Sequence, residues 1–223
     1  MVRIITQYGQ LLLRAMGQTV LLALCGLFFA CILGIFFGIL GVMKNKVCRA
    51  VDRVFVDAIR GVPLLVLAYF VYFGVPYAMK NILGIPFTLS ALQAGTICLA
   101  LNCGAYMAEI IRAGIQSVDK GQMEAARSLG LPWWRAMYRV VMPQAIRTMI
   151  PSIINQFIIT LKDTSILSVI GFPELVNTAK NVVANTFMSF QTWGIVAIMY
   201  LIIIEILTIS SRVLERRLNV GRE

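Results

Sequence analysis

A chain of 223 residues with 59% hydrophobic and only 13% charged side chains has too little polar surface to face water on all sides. Its mean hydropathy of +0.83 excludes the ordinary soluble enzyme classes. The absence of histidine also excludes His-based zinc sites, Ser-His-Asp and Cys-His catalysis and haem ligation by His. Net charge is +10, which in a membrane protein first reports which side the basic residues face.

Taken in chain order, the sequence predicts an all-α membrane protein with five transmembrane helices. These lie at about 17–43, 56–79, 88–112, 149–170 and 189–212, each long enough to cross a hydrocarbon core of about 30 Å. Residues 1–16 form an N-terminal segment and 213–223 a tail. The second span can begin upstream of Gly61, because Val54, Phe55 and Val56 continue the apolar pattern. The first apolar run is far longer than the hydrophobic region of a signal peptide, so it reads as a retained helix. Cys25, Cys31, Cys48, Cys98 and Cys103 have no metal-ligand spacing and read as small packing residues, with no metal site.

Basic residues set the orientation. Fifteen of the 20 fall in 44–60, in 112–148 or at the C-terminal end from Arg212 onward. Arg3, Arg14, Lys80 and Lys180 fall on the other side, and Lys162 lies within a span. That asymmetry predicts the N-terminus outside and the C-terminus in the cytoplasm. It accounts for the charge with membrane lipid alone and calls for no nucleic acid. The 44–53 run reads as a solvated, lipid-facing loop.

The long loop at about 113–148 is the most informative stretch. Asp119 suits an N-cap, Gly130 the left-handed residue that ends a short helix, and Pro132 the first turn of the next. Pro143 is expected to break that second helix. Ala125 and Ala126 would give a small, flat surface, and Glu124 and Arg127 would place charges beside it. Two readings stand: an interfacial helix anchored by Trp133 and Trp134, or a rigid protrusion that docks into a partner.

Charged and polar residues at bilayer depth need a reason. Lys162 and Asp163 fall about 16 Å along a helix from Pro151. With Asn155, Gln156, Thr164 and Ser165 they could line a path for an amino acid zwitterion, or lock helices together. Asn102 and Tyr106, four apart on one helix face, are either cavity residues or an interhelical hydrogen bond. Glu205, two turns before Arg212, reads as structural.

Glu124-Ala-Ala-x3-Gly130-x9-Val140-x-Met142-Pro143 resembles the EAA loop of binding-protein-dependent ABC importer permeases, with Val140 and Met142 as conservative departures. Arg60-Gly-Val-Pro63, Asn102 to Arg112, Asn155 to Gly171 and Leu214-Glu-Arg-Arg217 resemble segments of the polar amino acid subfamily, which includes histidine, glutamine and arginine permeases. The likeness covers nearly the whole chain. It implies the type I importer fold, a bacterial cytoplasmic-membrane location and half of a translocation pathway. The other half would be a second permease subunit, identical or homologous. Two separate ATPase subunits and an extracytoplasmic solute-binding protein are the other implied partners. Glu124, Ala125, Ala126, Arg127 and Gly130 would form the coupling helix that meets the ATPase. No Lys follows a Gly, so the chain has no phosphate loop, and ATP and Mg belong to the ATPase. The chain itself is expected to bind no cofactor. A polar amino acid, glutamine ahead of a basic one, is the implied substrate. An ion-gradient-driven secondary transporter is the competing class, and it usually carries internal repeats that are not seen here.

Overall fold

The computed structural model describes residues 2–219, with side chains described through Val213. The Leu214–Arg217 ending and the basic residues Arg216, Arg217 and Arg222 lie outside the described side chains. Every regular element among the described residues is helical. Five helical segments are long and apolar enough to cross a membrane: Val2–Val42, Leu64–Asn81, Ala91–Gln116, Trp133–Ile170 and Ser189–Val213.

Helix α1 (Val2–Val42) begins far upstream of residue 17. The segment 1–16 is therefore continuous with the span, whose 41 residues run about 60 Å. What holds its first turns is packing: Ile4, Leu12 and Ala15 are buried against Leu175, Ala179 and Val182 of α9 (Leu175–Thr186).

Residues 46–60 correct the loop expected there. They form a separate helix, α2 (Lys46–Arg60), whose N-cap Asn45 accepts a hydrogen bond from the Val47 amide at 2.8 Å. The second span accordingly starts at Leu64 and not at 56. Pro63 disfavours helical backbone at Val62, so the chain turns at 61–63 and Val54 to Val56 belong to α2. That span comprises α3 (Leu64–Tyr69), a π-helical turn (Phe70–Gly74) and α4 (Val75–Asn81).

Helix α5 (Ala91–Gln116) starts at a capping box. The Gln93 amide donates to Ser90 Oγ at 3.2 Å, and the Ser90 amide donates to Gln93 Oε1 at 2.9 Å. That pair explains a start three residues later than the apolar pattern suggests. It is the most buried of the five spans and packs most extensively against α1.

The α1–α5 contact rests on small residues. Gly26, Ala30, Gly34 and Gly38 recur every fourth residue on α1 and are all buried. A Cβ at Gly26 would lie 2.6 Å from Leu99 Cβ, and one at Gly38 2.8 Å from Ile111 Cβ. The two backbones approach closely because no side chain separates them, as in small-xxx-small helix pairs.

After the short α6 (Lys120–Ser128), the chain is helical from Trp133 to Ile170. The helix expected to break at Pro143 does not. It passes from α7 (Trp133–Ala136) through a π-helical turn (Met137–Val141) into α8 (Met142–Asp163), then a 3-10 segment (Thr164–Ile170). Pro143 lacks an amide hydrogen and crowds the carbonyl four residues back; the wider π turn just before it relieves both problems. Pro76 sits equally close behind the π turn Phe70–Gly74. The chain closes with α9 and α10 (Ser189–Asn219).

A buried carboxylate starts α9. Glu174 is fully buried and its two oxygens accept hydrogen bonds from the Val176 and Asn177 amides at 2.7 and 2.5 Å. Burial pushes the carboxyl up from its ordinary range; the two amides and nearby Lys180 pull the other way. The Leu175 amide donates to Thr19 Oγ1 on α1 at 3.1 Å, and Lys180 Nζ to Ser168 Oγ at 2.9 Å. Glu174→Ala removes the cap and is expected to cost about 1–2 kcal/mol, read as a lower melting temperature in detergent. Glu174→Gln falls between the two, because an amide has one acceptor oxygen in place of two.

Candidate functional site

Two groups of residues singled out in the sequence come to different places. The first is α6. Asp119 Oδ1 accepts from the Gly121 amide at 2.7 Å and so starts the helix. Gly130, with φ of +82°, ends it. Its amide donates to the Arg127 carbonyl at 3.0 Å, and the Leu131 amide to Ala126 at 3.2 Å. Both ends of a nine-residue helix are thereby fixed.

Glu124, Ala125 and Arg127 are exposed. Ala126 is not: only 4% of it is accessible, so it does not share a flat outer surface with Ala125. Neighbouring helical residues point about 100° apart, so one alanine faces outward and the other packs beneath. Leu129 replaces it on the outer side. It is the C-cap residue of α6 and is 85% exposed, and its place just before the helix-ending glycine was the available signal. Trp134 is exposed next to this protrusion, with the Arg135 guanidinium 5.0 Å from its ring centre.

The second group lies within the spans and is divided. Gln156 and Thr164 are buried, and Asn102 is buried on α5. Gln156 and Thr160 lie beside Cys103 of α5. Asn155 and Lys162, seven residues apart and so on one stripe, are exposed on the other side of α8. Asp163 and Ser165 are partly buried. Thr164 Oγ1 donates to the Leu161 carbonyl at 2.8 Å, and Ser165 Oγ to the Lys162 carbonyl at 2.7 Å. Both hydroxyl protons thus serve the helix end, where the α-helix tightens into 3-10 form. Lys162 and Asp163 make no ion pair; the only one among the described residues joins Glu109 and Arg112.

That pair belongs to a cluster the sequence reading missed. On α5, Arg112 Nε donates to Glu109 Oε2 at 3.0 Å. Asp52 of α2 is buried near Arg112, and its Oδ1 has no hydrogen-bond partner. Burial pushes the Asp52 carboxyl up, and Arg112 draws it back. A Cβ at Gly41 would lie 2.5 Å from Asp52 Oδ2, so the glycine leaves room for the carboxylate. One turn away, Arg60 sits over the Tyr106 ring, 4.9 Å from its centre. Tyr106 stays 36% exposed and faces the cation that ends α2. The Glu109–Arg112 spacing of three residues was the signal in the sequence.

No group of three or more His, Cys, Asp or Glu side chains among the described residues is placed to hold a metal. What the geometry presents is a membrane bundle with one rigid, capped helix outside the spans.

Comparison with known proteins agrees over most of the chain. Residues 30–220 match the family described as binding-protein-dependent transport system inner membrane component. The chain is 36% identical over 210 residues to the glutamine transport system permease protein GlnP of Escherichia coli (strain K12), covering 94% of each chain. It is similar to a crystal structure of an amino acid ABC transporter with histidines, at TM-score 0.87 and 36% identity, covering 96% of both chains. An inward-facing methionine ABC transporter structure shares the fold at TM-score 0.76 and 16% identity, covering 95% of this chain and 97% of that one. The chain belongs to the binding-protein-dependent inner membrane component family, and is a multi-pass permease subunit of an ABC importer rather than an enzyme.

Proposed function

We propose that the chain forms half of the pathway for a polar L-amino acid, glutamine-like, and couples it to a separate ATPase through α6. The observation that carries this reading is the capped α6, which exposes Glu124, Ala125, Arg127 and Leu129. A helix fixed at both ends transmits a push from its partner without fraying. Glu124 supplies a charged acceptor, Ala125 a close approach and Leu129 an apolar anchor. Ala126 and Gly130 shape the helix from beneath and at its end. ATP and Mg bind the ATPase pair, and a solute-binding protein delivers substrate at the opposite face, which the basic asymmetry places outside.

A second permease subunit, identical or homologous, completes the pathway. Supporting this, Asn155, Lys162 and Glu205 are exposed on apolar spans of a single chain, and polar groups at that depth need a partner or a wet cavity. Lys162 and Asn155 then face the shared path, with Asp163 and Ser165 at its edge; Gln156, Asn102 and Thr164 hold the helices that line it. Glutamine is favoured by the relative above, and a basic amino acid is the alternative suggested by the transporter structure with histidines.

The test is reconstitution with the cognate ATPase and binding protein in vesicles. ATP hydrolysis should rise several-fold when the binding protein carries glutamine, with labelled glutamine accumulating inside. Stimulation by arginine alone would reassign the substrate. Uptake driven by an ion gradient without ATP would overturn the coupling.

A further inference from the structure

Helix α2 has three distinct faces. Asp52 and Val56 are buried against the rest of the chain, with Cys48, Phe55 and Ile59 partly covered beside them. Val47, Val51 and Val54 form an exposed apolar stripe, Val47 and Val54 each 69% accessible. Lys46 and Arg53, one heptad apart, are exposed along its edge. At 15 residues and about 22 Å the helix is too short to span a bilayer, yet spans begin or end at both of its ends. Such a helix lies along the membrane boundary, with its apolar stripe toward the acyl chains and its basic edge at headgroup level.

Between α1 and α2 runs an open groove of about 620 Å³, lined by Phe37, Val47, Ala50, Val51, Val54 and Phe55, with Lys46 as its one charged residue. Its floor is rigid: the Phe37 and Phe55 rings stack with centres 3.8 Å apart. Asp52 is turned inward toward Arg112, and the one exposed acid on the helix, Asp57, lies one turn past Arg53 and three turns from Lys46, so the cations outnumber it on this edge two to one. Among the described residues neither Lys46 nor Arg53 makes an ion pair. A long apolar trough beside two unpaired cations complements a molecule with a hydrocarbon tail and an anionic head.

We propose that this groove binds one anionic phospholipid, its acyl chain along Val47, Val51, Val54 and the Phe37–Phe55 stack, its phosphate between Lys46 and Arg53. The bound lipid holds α2 at the boundary and so keeps Asp52 beside Arg112 behind it.

The full-length chain in mild detergent is titrated with phosphatidylglycerol and phosphatidylcholine of matched acyl chains, and bound lipids are counted by native mass spectrometry. The first lipid bound should favour phosphatidylglycerol by about fivefold or more. Lys46→Gln with Arg53→Gln should abolish that preference, and Val51→Gln should weaken both lipids. Arg3→Gln with Arg14→Gln, at the other end of α1, should leave the preference intact. Equal retention of the two lipids by the unaltered chain, or an undiminished preference in the double variant, would overturn the proposal. So would efficient disulfide crosslinking of Val51→Cys to a second permease subunit in native membranes, since the groove would then be a protein interface.

Discussion

Glu124→Lys is expected to leave membrane insertion and folding intact while cutting ATP-coupled uptake by tenfold or more. Glu124 is exposed on α6 and makes no ion pair among the described residues, so reversing it removes no ion pair described within the chain. The Asp119 cap and the Gly130 turn remain, so α6 keeps its shape. On the coupling role proposed for α6, the loss falls on the interface with the ATPase. There, one charged hydrogen bond is worth about 1–3 kcal/mol, and a reversed charge adds repulsion. The measurement pairs co-purification of the ATPase subunit with uptake in vesicles, and the melting temperature serves as the folding control. Unchanged uptake and unchanged ATPase binding would remove Glu124 from the coupling surface. Leu129→Asp should act in the same direction, because the 85% exposed leucine is the apolar end of the same proposed docking surface and an aspartate there would have to be desolvated on docking.

The largest structural effect is expected at Gly34. A Cβ there would fall on Met107 Cβ, with the Gly104 carbonyl oxygen 3.4 Å away. Neither obstacle is the far end of a flexible side chain, so Gly34→Leu must push α1 away from α5. Overpacking of this kind costs about 1–3 kcal/mol or more. Because α1 and α5 form the most extensive helix pair, the damage extends to Gly38 and to the Asp52 contact beyond it. Gly17→Leu is the control. Gly17 is exposed and an added Cβ meets nothing within 4 Å, so its melting temperature should change little. Equal melting temperatures for the two variants in detergent would refute close α1–α5 packing at Gly34. Lower yield of the Gly34 variant alone, with uptake per folded molecule preserved, is the expected pattern.

Legibility followed the physical range of each signal. The five spans follow from long apolar runs, three of them with uncharged cores, because the bilayer demands length and apolarity whatever the packing. The α6 boundaries were legible because caps are local: Asp119 acts two residues on, and Gly130 acts through its own backbone. The α2 helix was not. Its apolar stripe spans only four turns and is interleaved with basic residues, and only Pro63 marks its separation from the next span. Pro143 misled in the other direction, since a proline looks like a break until a π turn upstream absorbs it. The glycine and alanine recurrence on α1 was present in the sequence but acquires meaning only when the helix it faces is known.

By itself, the sequence determined that this is a five-span membrane chain whose one informative loop matches an importer's coupling element. Those properties depend on composition, on short-range caps and on motif spacing. Tertiary structure decided which residue of each pair faces where. Ala125 points outward and Ala126 inward; Lys162 and Asn155 are exposed while Gln156 is enclosed; the Arg60 guanidinium lies over the Tyr106 ring. The rotation of each helix about its own axis is set by the sum of its contacts with its neighbours. In a chain that is apolar on nearly every helical face, no stripe of polar residues announces that rotation in advance.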